Sequence, residues 1–385
     1  MPLTVVHAAK FYPPVQGGME TIVRDLCDGT AGDWDVRVVA FNQAPRTIVE
    51  RVGRVGVVRA AAFGQAASVP LSPAYFSRIW RSRADCVVLH EPNPIAGTAL
   101  FLHTPAPRLI VWHHSDLLRP WWAPHTYGRV QRALYRRAEC VIVSSPNLAA
   151  ASSLVGNARR VAVIPFGIDL DRYRRLDAAR EALADRLRAE MPGPRVLFVG
   201  RLVYYKGVDV LVDAMVHCPG TLVLVGAGPL EASLAARAAA LGLADRVRFA
   251  GHASDEDLPA YYRACDLFVL PSVAKTEAFG VVQVEAMAAG LPVVSTNLPT
   301  GVPWVNQDGV SGLVVEPGDA AALGAAIRRL IDDPALRARL AEGASRRADR
   351  LFTRDRMVRA FHDLVEAVVG APDELDERLA RAEAP

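Results

Sequence analysis

Six short apolar runs, at 3–8, 36–41, 86–90, 109–112, 140–144 and 161–164, set the frame for the first half of this 385-residue chain. Runs so short and so continuously apolar are strands buried on both faces, as in a parallel sheet covered by helices. Helical patterns fit the intervals 19–29, 127–138 and 147–155. Between 165 and 194 the pattern breaks into a charged stretch ending Pro192-Gly193-Pro194, which reads as a linker carrying a helix. Six more runs follow, at 195–199, 222–225, 247–250, 267–270, 292–295 and 312–315. They alternate with helical patterns at 207–215, 230–241, 255–264 and 281–289, and Ser254 is placed to cap the third of these. The pattern predicts an α/β chain of two doubly wound parallel-sheet domains, 1–165 and 195–352, separated by a linker at 166–194. Helical stretches at 334–349 and 355–369 close the pattern. The last, within 353–371, is a candidate to return to the first domain, and a charged tail occupies 372–385.

Composition narrows the class. Hydrophobic residues make up 51% and charged residues 22%, which is enough to bury two cores and excludes a disordered chain. No apolar run approaches the roughly 18 residues of a membrane-spanning helix. The first strand begins without a basic and then apolar leader, so a cytoplasmic location is expected. The five cysteines stand singly, with no CxxC pair, and read as reduced core thiols. Net charge is +3, but residues 1–165 hold 18 Lys/Arg against 10 Asp/Glu, so +8 there leaves −5 for the rest. A basic first half suits an anionic partner, a membrane surface or a phosphorylated substrate. No nucleic-acid-binding motif accompanies it, so no nucleic-acid partner is expected. Arg is the default cation. Lys occurs only at Lys10, Lys206 and Lys275, each in a segment singled out below.

Three strand ends in the second half carry chemistry. Val199-Gly200-Arg201-Leu202 leads to Lys206-Gly207, where a turn brings two cations to a helix start. They suit a diphosphate, or are two solvated surface cations. Val225-Gly226-Ala227-Gly228-Pro229 is a turn whose glycines admit a ligand or another backbone closely. Pro271-Ser272 ends a further strand. The loop Lys275-Thr276-Glu277-Ala278-Phe279-Gly280 then precedes an apolar helix bearing Glu285. A carboxylate on such a stripe needs a partner: a buried ion pair, a cap, or a ribose diol as in dinucleotide sites.

Glu277 and Glu285, set in EAFGVVQVEAMAAGLPVV, resemble the signature of family-four retaining glycosyltransferases of the GT-B fold. VGRLVYYKGVDVLVDAM and LVGAGP are similar to that family's other donor-site segments, GLVVEPGD to its late turn, and the likeness runs along essentially the whole chain. The resemblance implies two Rossmann-like domains facing across a cleft. Arg201 and Lys206 would then hold the donor diphosphate. Glu277 would bind the sugar hydroxyls with Ala278, Phe279 and Gly280 beside it, Glu285 would bind the ribose, and His252 would lie near the base. It further implies no metal cofactor, the cations neutralising the leaving group instead, and no His/Asp cluster in the sequence suggests a metal site.

The first half offers weaker signals. Lys10-Phe11-Tyr12-Pro13-Pro14-Val15-Gln16-Gly17-Gly18 joins the first strand to a helix, and the resemblance places Gly17 and Gly18 beside the donor phosphate and the acceptor. Trp112-His113-His114-Ser115-Asp116 follows a strand. Adjacent strand residues point to opposite faces, which makes joint metal ligation by the two histidines awkward. The resemblance selects His114 to contact the sugar. Asn93, in His90-Glu91-Pro92-Asn93-Pro94, and Asp116 are candidates for the acceptor side, although Pro92 and Pro94 also suit mere loop shaping. Leu117–Trp122 with Arg129, Arg132, Arg136 and Arg137 fits docking on an anionic membrane, and equally a solvated basic helix.

The expected activity is transfer of a hexosyl group from a nucleoside diphosphate sugar to a hydroxyl of a glycan or lipid-linked acceptor. HEPNP, HHSD and TNLPTGVPWVNQDGVSGLVV look most like bacterial mannosyl- and rhamnosyltransferases of surface-polysaccharide assembly, which favours a GDP-sugar such as GDP-mannose over a UDP-sugar. The rival classes are a sugar-nucleotide epimerase of the same fold and a non-catalytic sugar-nucleotide-binding partner.

Overall fold

The computed structural model describes residues 2–15, 17–66, 69–117, 123–371 and 375. They form two compact units. One runs to Gly167 and resumes at Arg354; the other is Ile168–Thr353.

The first unit is built on strands β1 (Thr4–Ala8), β2 (Asp35–Phe41), β3 (Ile48–Val52), β4 (Val55–Ala60), β7 (Cys86–Glu91), β8 (Arg108–His113), β9 (Cys140–Val143) and β10 (Val161–Val163). A two-stranded ribbon, β5 (Gln65–Ala66) and β6 (Val69–Pro70), stands apart. The sheet order is β10-β9-β8-β7-β1-β2-β4-β3, parallel throughout except that β3 runs antiparallel to β4. The β3–β4 hairpin went unforeseen because Ile48–Val52 is half exposed and carries Glu50 and Arg51. The strand order reverses between β1 and β7, so the loops leaving those strands diverge and open a crevice at their carboxyl ends.

Helices Pro73–Trp80, Pro94–Leu102 and Pro146–Ala151 share one starting device. Ser72, Asn93 and Ser145 accept the N–H three residues on, and Pro takes the first helical position. The first two were missed by periodicity. Pro94–Leu102 is apolar nearly all round, so no face stands out, although its Asn-Pro start marks it. The final helix, Arg354–Gly370, belongs to this unit. It lies along Gly18–Thr30, where Trp34 Nε1 donates to Glu366 at 2.7 Å and Phe361 is fully buried.

The second unit holds β11 (Arg195–Val199), β12 (Thr221–Val225), β13 (Val247–Gly251), β14 (Leu267–Leu270), β15 (Val293–Thr296) and β16 (Gly312–Val315), all parallel, in the order β13-β12-β11-β14-β15-β16. Its reversal lies between β11 and β14. Residues 168–194, expected as a linker, are instead part of this unit. Helix Ala178–Glu190 packs along Leu258–Ala264, with Arg180 on Glu256 at 2.7 Å and Tyr173 and Ala184 buried. Part of the charge that suggested a linker pairs across to that neighbour, Glu181 and Arg188 on Arg263, while Asp185, Arg186 and Glu190 face solvent. Ser254 accepts from Asp257 N at 3.0 Å, but it caps a turn, and the helix begins at Leu258. Helix Ala320–Asp332, capped by Asp319, was not foreseen.

Candidate functional site

In the second unit three loops converge at the carboxyl ends of β11, β12 and β14. Gly200 N donates to Val225 O at 2.9 Å, Leu202 N to Ala227 O at 3.1 Å and Gly226 N to Gly251 O at 2.7 Å. This lacing explains the glycines. A Cβ on Gly226 would collide with Gly200 O, and one on Gly228 with Leu202 O, so what they admit is backbone. Gly207 works in the same way between β11 and β14. Its φ is 63°, and a Cβ there would strike Pro271 O, while Val273 N donates to Tyr205 O at 2.8 Å.

That contact delivers Lys206 to Glu277. Nζ lies 2.5 Å from Oε2, with the side chains 11% and 10% exposed, and Ser272 Oγ donates to the same oxygen at 3.1 Å. Burial alone would lower the Lys206 pKa, but the Glu277 carboxylate outweighs it and the pKa is raised, so the ammonium is charged. Arg201 is exposed and has no ion-pair partner among the described residues. Gly280, at φ 72°, starts helix Val281–Ala288, whose first amides have no intrahelical acceptor. Ala278 O takes Gly301 N at 2.7 Å, and Phe279 is buried against Trp304 and Phe352, so these two residues build the loop.

Glu285 is held by tyrosine. Tyr262 Oη donates to its Oε2 at 2.7 Å, and Tyr173 also bonds it. Burial raises its pKa and the two hydroxyls oppose the rise. Neither tyrosine was singled out by sequence, since each reads as core. His252 is exposed just after β13, and Lys275 is exposed on its loop.

The first unit gathers a different set. His114 Nε2 lies 2.9 Å from His90 Nδ1, and His90 Nε2 lies 3.0 Å from His7 Nδ1. His113 points the other way, to Tyr135 Oη at 2.7 Å, with Asp116 3.5 Å from its other nitrogen. Burial pushes His7 and His114 down to about 3, His113 to about 4 and His90 well below its ordinary value, so the rings are neutral. Asp116 also accepts from Ser152 at 2.7 Å, and Asn93 serves as a helix cap. Beside them sits Glu91, fully buried with no cation paired to it among the described residues. Tyr127, Gln131 and Asn93 N all donate to it, and burial raises its pKa.

Gly17 precedes helix Gly18–Thr30, and a Cβ on it would collide with the Glu20 carboxylate, which is folded back over the helix start. The side of this helix end that was expected to face phosphate therefore already carries an acidic group. Gly18 faces open space. Of the aromatic-basic stretch, residues 118–122 lie outside the described residues. Among the described residues no group of three His, Cys, Asp or Glu is arranged to hold a metal, and no helix is long and apolar enough to cross a membrane.

Two doubly wound units, one with cations and a carboxylate at its switch point, define the GT-B class of architecture. The profile described as "Glycosyl transferases group 1" matches residues 179–347, and that described as "Glycosyltransferase Family 4" matches 16–172. The chain is 34% identical to D-rhamnosyltransferase WbpZ of Pseudomonas aeruginosa, over 91% of this chain and 92% of that one. It is 30% identical to O-antigen chain mannosyltransferase C of Escherichia coli, over 94% and 98%. Among solved structures, Anabaena HepE in complex with UDP superposes with a TM-score of 0.77 at 24% identity, covering 95% of this chain and all of that one. The chain belongs to glycosyltransferase family 4, with relatives in surface-polysaccharide assembly.

Proposed function

We propose that this glycosyltransferase moves a mannosyl or rhamnosyl group from a GDP-sugar to a hydroxyl of a glycan or lipid-linked acceptor, with retention at the anomeric carbon. The observation that carries the reading is the Lys206–Glu277 pair at the β11/β14 switch point, with Arg201 exposed on the adjoining loop. A donor needs both members: a cation for the diphosphate and a carboxylate to accept from sugar hydroxyls. In the reaction the bond from the anomeric carbon to the phosphate oxygen breaks, and a bond from that carbon to the acceptor oxygen forms on the same face. The acceptor's proton passes to the departing diphosphate. Negative charge builds on that diphosphate, and Arg201 and Lys206 stabilise it in place of a metal. Glu285 takes the ribose, His252 lies by the base, and of the two glycines Gly18, which faces open space, borders the phosphate. His114 bonds the sugar, and Asn93 and Asp116 lie on the acceptor side.

The names of the two relatives support mannose or rhamnose as the transferred sugar; the GDP carrier is our own assignment, and HepE, a neighbour in fold, is solved with UDP. The basic surplus of residues 1–165 supports peripheral contact with an anionic membrane at the inner face of the cell envelope. A panel of GDP-mannose, GDP-rhamnose, UDP-glucose and UDP-N-acetylglucosamine, followed by thermal shift and slow donor hydrolysis, tests the donor. GDP-sugars alone are expected to raise Tm and to be hydrolysed. Response to UDP-sugars alone overturns the choice of base, and response to none overturns the reading.

A further inference from the structure

The first unit holds a line of three imidazoles that the proposed reaction uses only at its end. His7 stands on β1, His90 on β7 and His114 just past β8, three adjacent strands of the sheet. The ring planes differ by 18° and 26°, and the centroids are 5.3 and 5.2 Å apart. These separations exceed the N···N distances of 3.0 and 2.9 Å by only about two ring radii, so the bonds run edge to edge in the ring planes, where the N–H and lone pair lie. Trp112 and Phe166 flank the line, and all three histidines are buried.

A neutral imidazole has one N–H and one bare nitrogen. His90 uses both nitrogens, so it donates through one and accepts through the other. The whole line then has only two arrangements. In one, His7 Nδ1–H donates to His90 Nε2, His90 Nδ1–H donates to His114 Nε2, and His114 carries its proton on Nδ1. In the other every bond is reversed, and His114 Nδ1 is bare. The far end decides. His7 Nε2 is buried and has no hydrogen-bond partner among the described residues. The other ring packed on His7, Phe361, tilted at 49° with centroids 5.6 Å apart, has no lone pair and accepts at most a second-order contact. The reversed arrangement would strand an N–H at that spot, whereas the first strands only a lone pair. Orphaned buried donors are the rarer and costlier case.

We propose that His7 and His90 are positioning residues that lock His114 as its Nδ1–H tautomer, so that it offers a hydrogen-bond donor to an oxygen of the transferred sugar. The free nitrogen is Nδ1, because His90 occupies Nε2, and Nδ1 has no partner among the described residues. The sugar contact rests on the function proposed above; the tautomer does not. Histidine free in water mostly carries its proton on Nε2, so the lock has a distinct signature.

The test is long-range ¹H–¹⁵N correlation of the imidazoles in the full, ligand-free chain near neutral pH, with His114 assigned by its loss in His114→Asn. The expected result is a protonated Nδ1 and a bare Nε2 on His114, His90 and His7. A protonated Nε2 on His114 overturns the proposal and leaves the glycosyltransferase reading standing. The kinetic arm uses GDP-mannose hydrolysis. In His7→Asn the side-chain amide takes the place of the Nδ1–H and turnover is retained, whereas His7→Leu loses about tenfold in kcat, the worth of one hydrogen bond, with the far-UV spectrum unchanged. Equal turnover in the two variants overturns the relay. Absence of any hydrolysis in the wild type counts against the function and leaves the tautomer result intact.

Discussion

Lys206 Nζ and Glu277 Oε2 stand 2.5 Å apart at the mouth of the second sheet, brought together by the contact that Gly207 makes with Pro271. The pair ties the two loops together, and under the proposed function the donor shares it. Lys206→Ala should therefore lower kcat by about two to three orders of magnitude, as loss of a transition-state charge does. Stability should fall by up to about 3 kcal/mol, because Glu277 is left nearly buried and unpaired. Turnover within a few fold of wild type, with the fold intact by circular dichroism, would remove Lys206 from the mechanism.

Glu285 is expected to act differently. Its bonds to Tyr262 and Tyr173 fix it, and the ribose contact proposed for it would be the same in ground and transition states. Glu285→Gln should raise KM for the donor about tenfold and leave kcat near wild type. Initial-rate kinetics separate the two parameters.

Two glycine substitutions should part company. Gly226→Ala forces a methyl into Gly200 O and should cost several kcal/mol or abolish folding. Gly18→Ala meets nothing within 4 Å and should leave Tm within a few degrees. If Gly18→Ala nonetheless raises the donor KM, the first loop takes part in binding.

Acid should weaken the first unit. The folded pKa values of His7 and His114 lie near 3, below the unfolded 6.5, so the unfolded chain binds more protons throughout that interval. Stability is therefore full above about pH 6.5 and falls as pH drops, by about 1.4 kcal/mol per unit for each ring. At pH 5 the two rings together account for about 4 kcal/mol. Urea unfolding monitored by near-ultraviolet absorbance at pH 7.5 and 5 measures it, and His7→Phe should shrink the difference.

Turnover should also survive chelation. The proposed mechanism has Arg201 and Lys206 supply the charge, so EDTA should leave donor hydrolysis unchanged. Loss of activity that is restored by Mg²⁺ or Mn²⁺ would contradict the cation mechanism.

The sheets were legible because their strands are buried on both faces and so spell themselves as unbroken Val, Leu and Ile. Elements that break that condition were not. The Ile48–Val52 edge strand is half solvated, and Pro94–Leu102 is a helix without a polar face. Of the site, Lys206, Glu277 and Glu285 stood out as charges on apolar or glycine-rich ground. His7 is also a lone polar residue in an apolar strand, but its meaning depends on β7 lying next to β1, which no local pattern states. Glu91 was hidden for the same reason, since both of its side-chain donors, Tyr127 and Gln131, come from a helix more than thirty residues on. The glycines at 226 and 228 were recognised as places of close approach, but the approaching group is backbone from the neighbouring loop.

The return of Arg354–Gly370 to the first unit makes that unit discontinuous, with the second inserted as a single continuous piece. During synthesis the unit begun first is thus the one finished last. Trp34 and the helix Gly18–Thr30 wait for Phe361 and Glu366, which leave the ribosome only after all of Ile168–Thr353 has emerged. The half that carries the histidine line can close its core only once the half that carries Lys206 and Glu277 has been made.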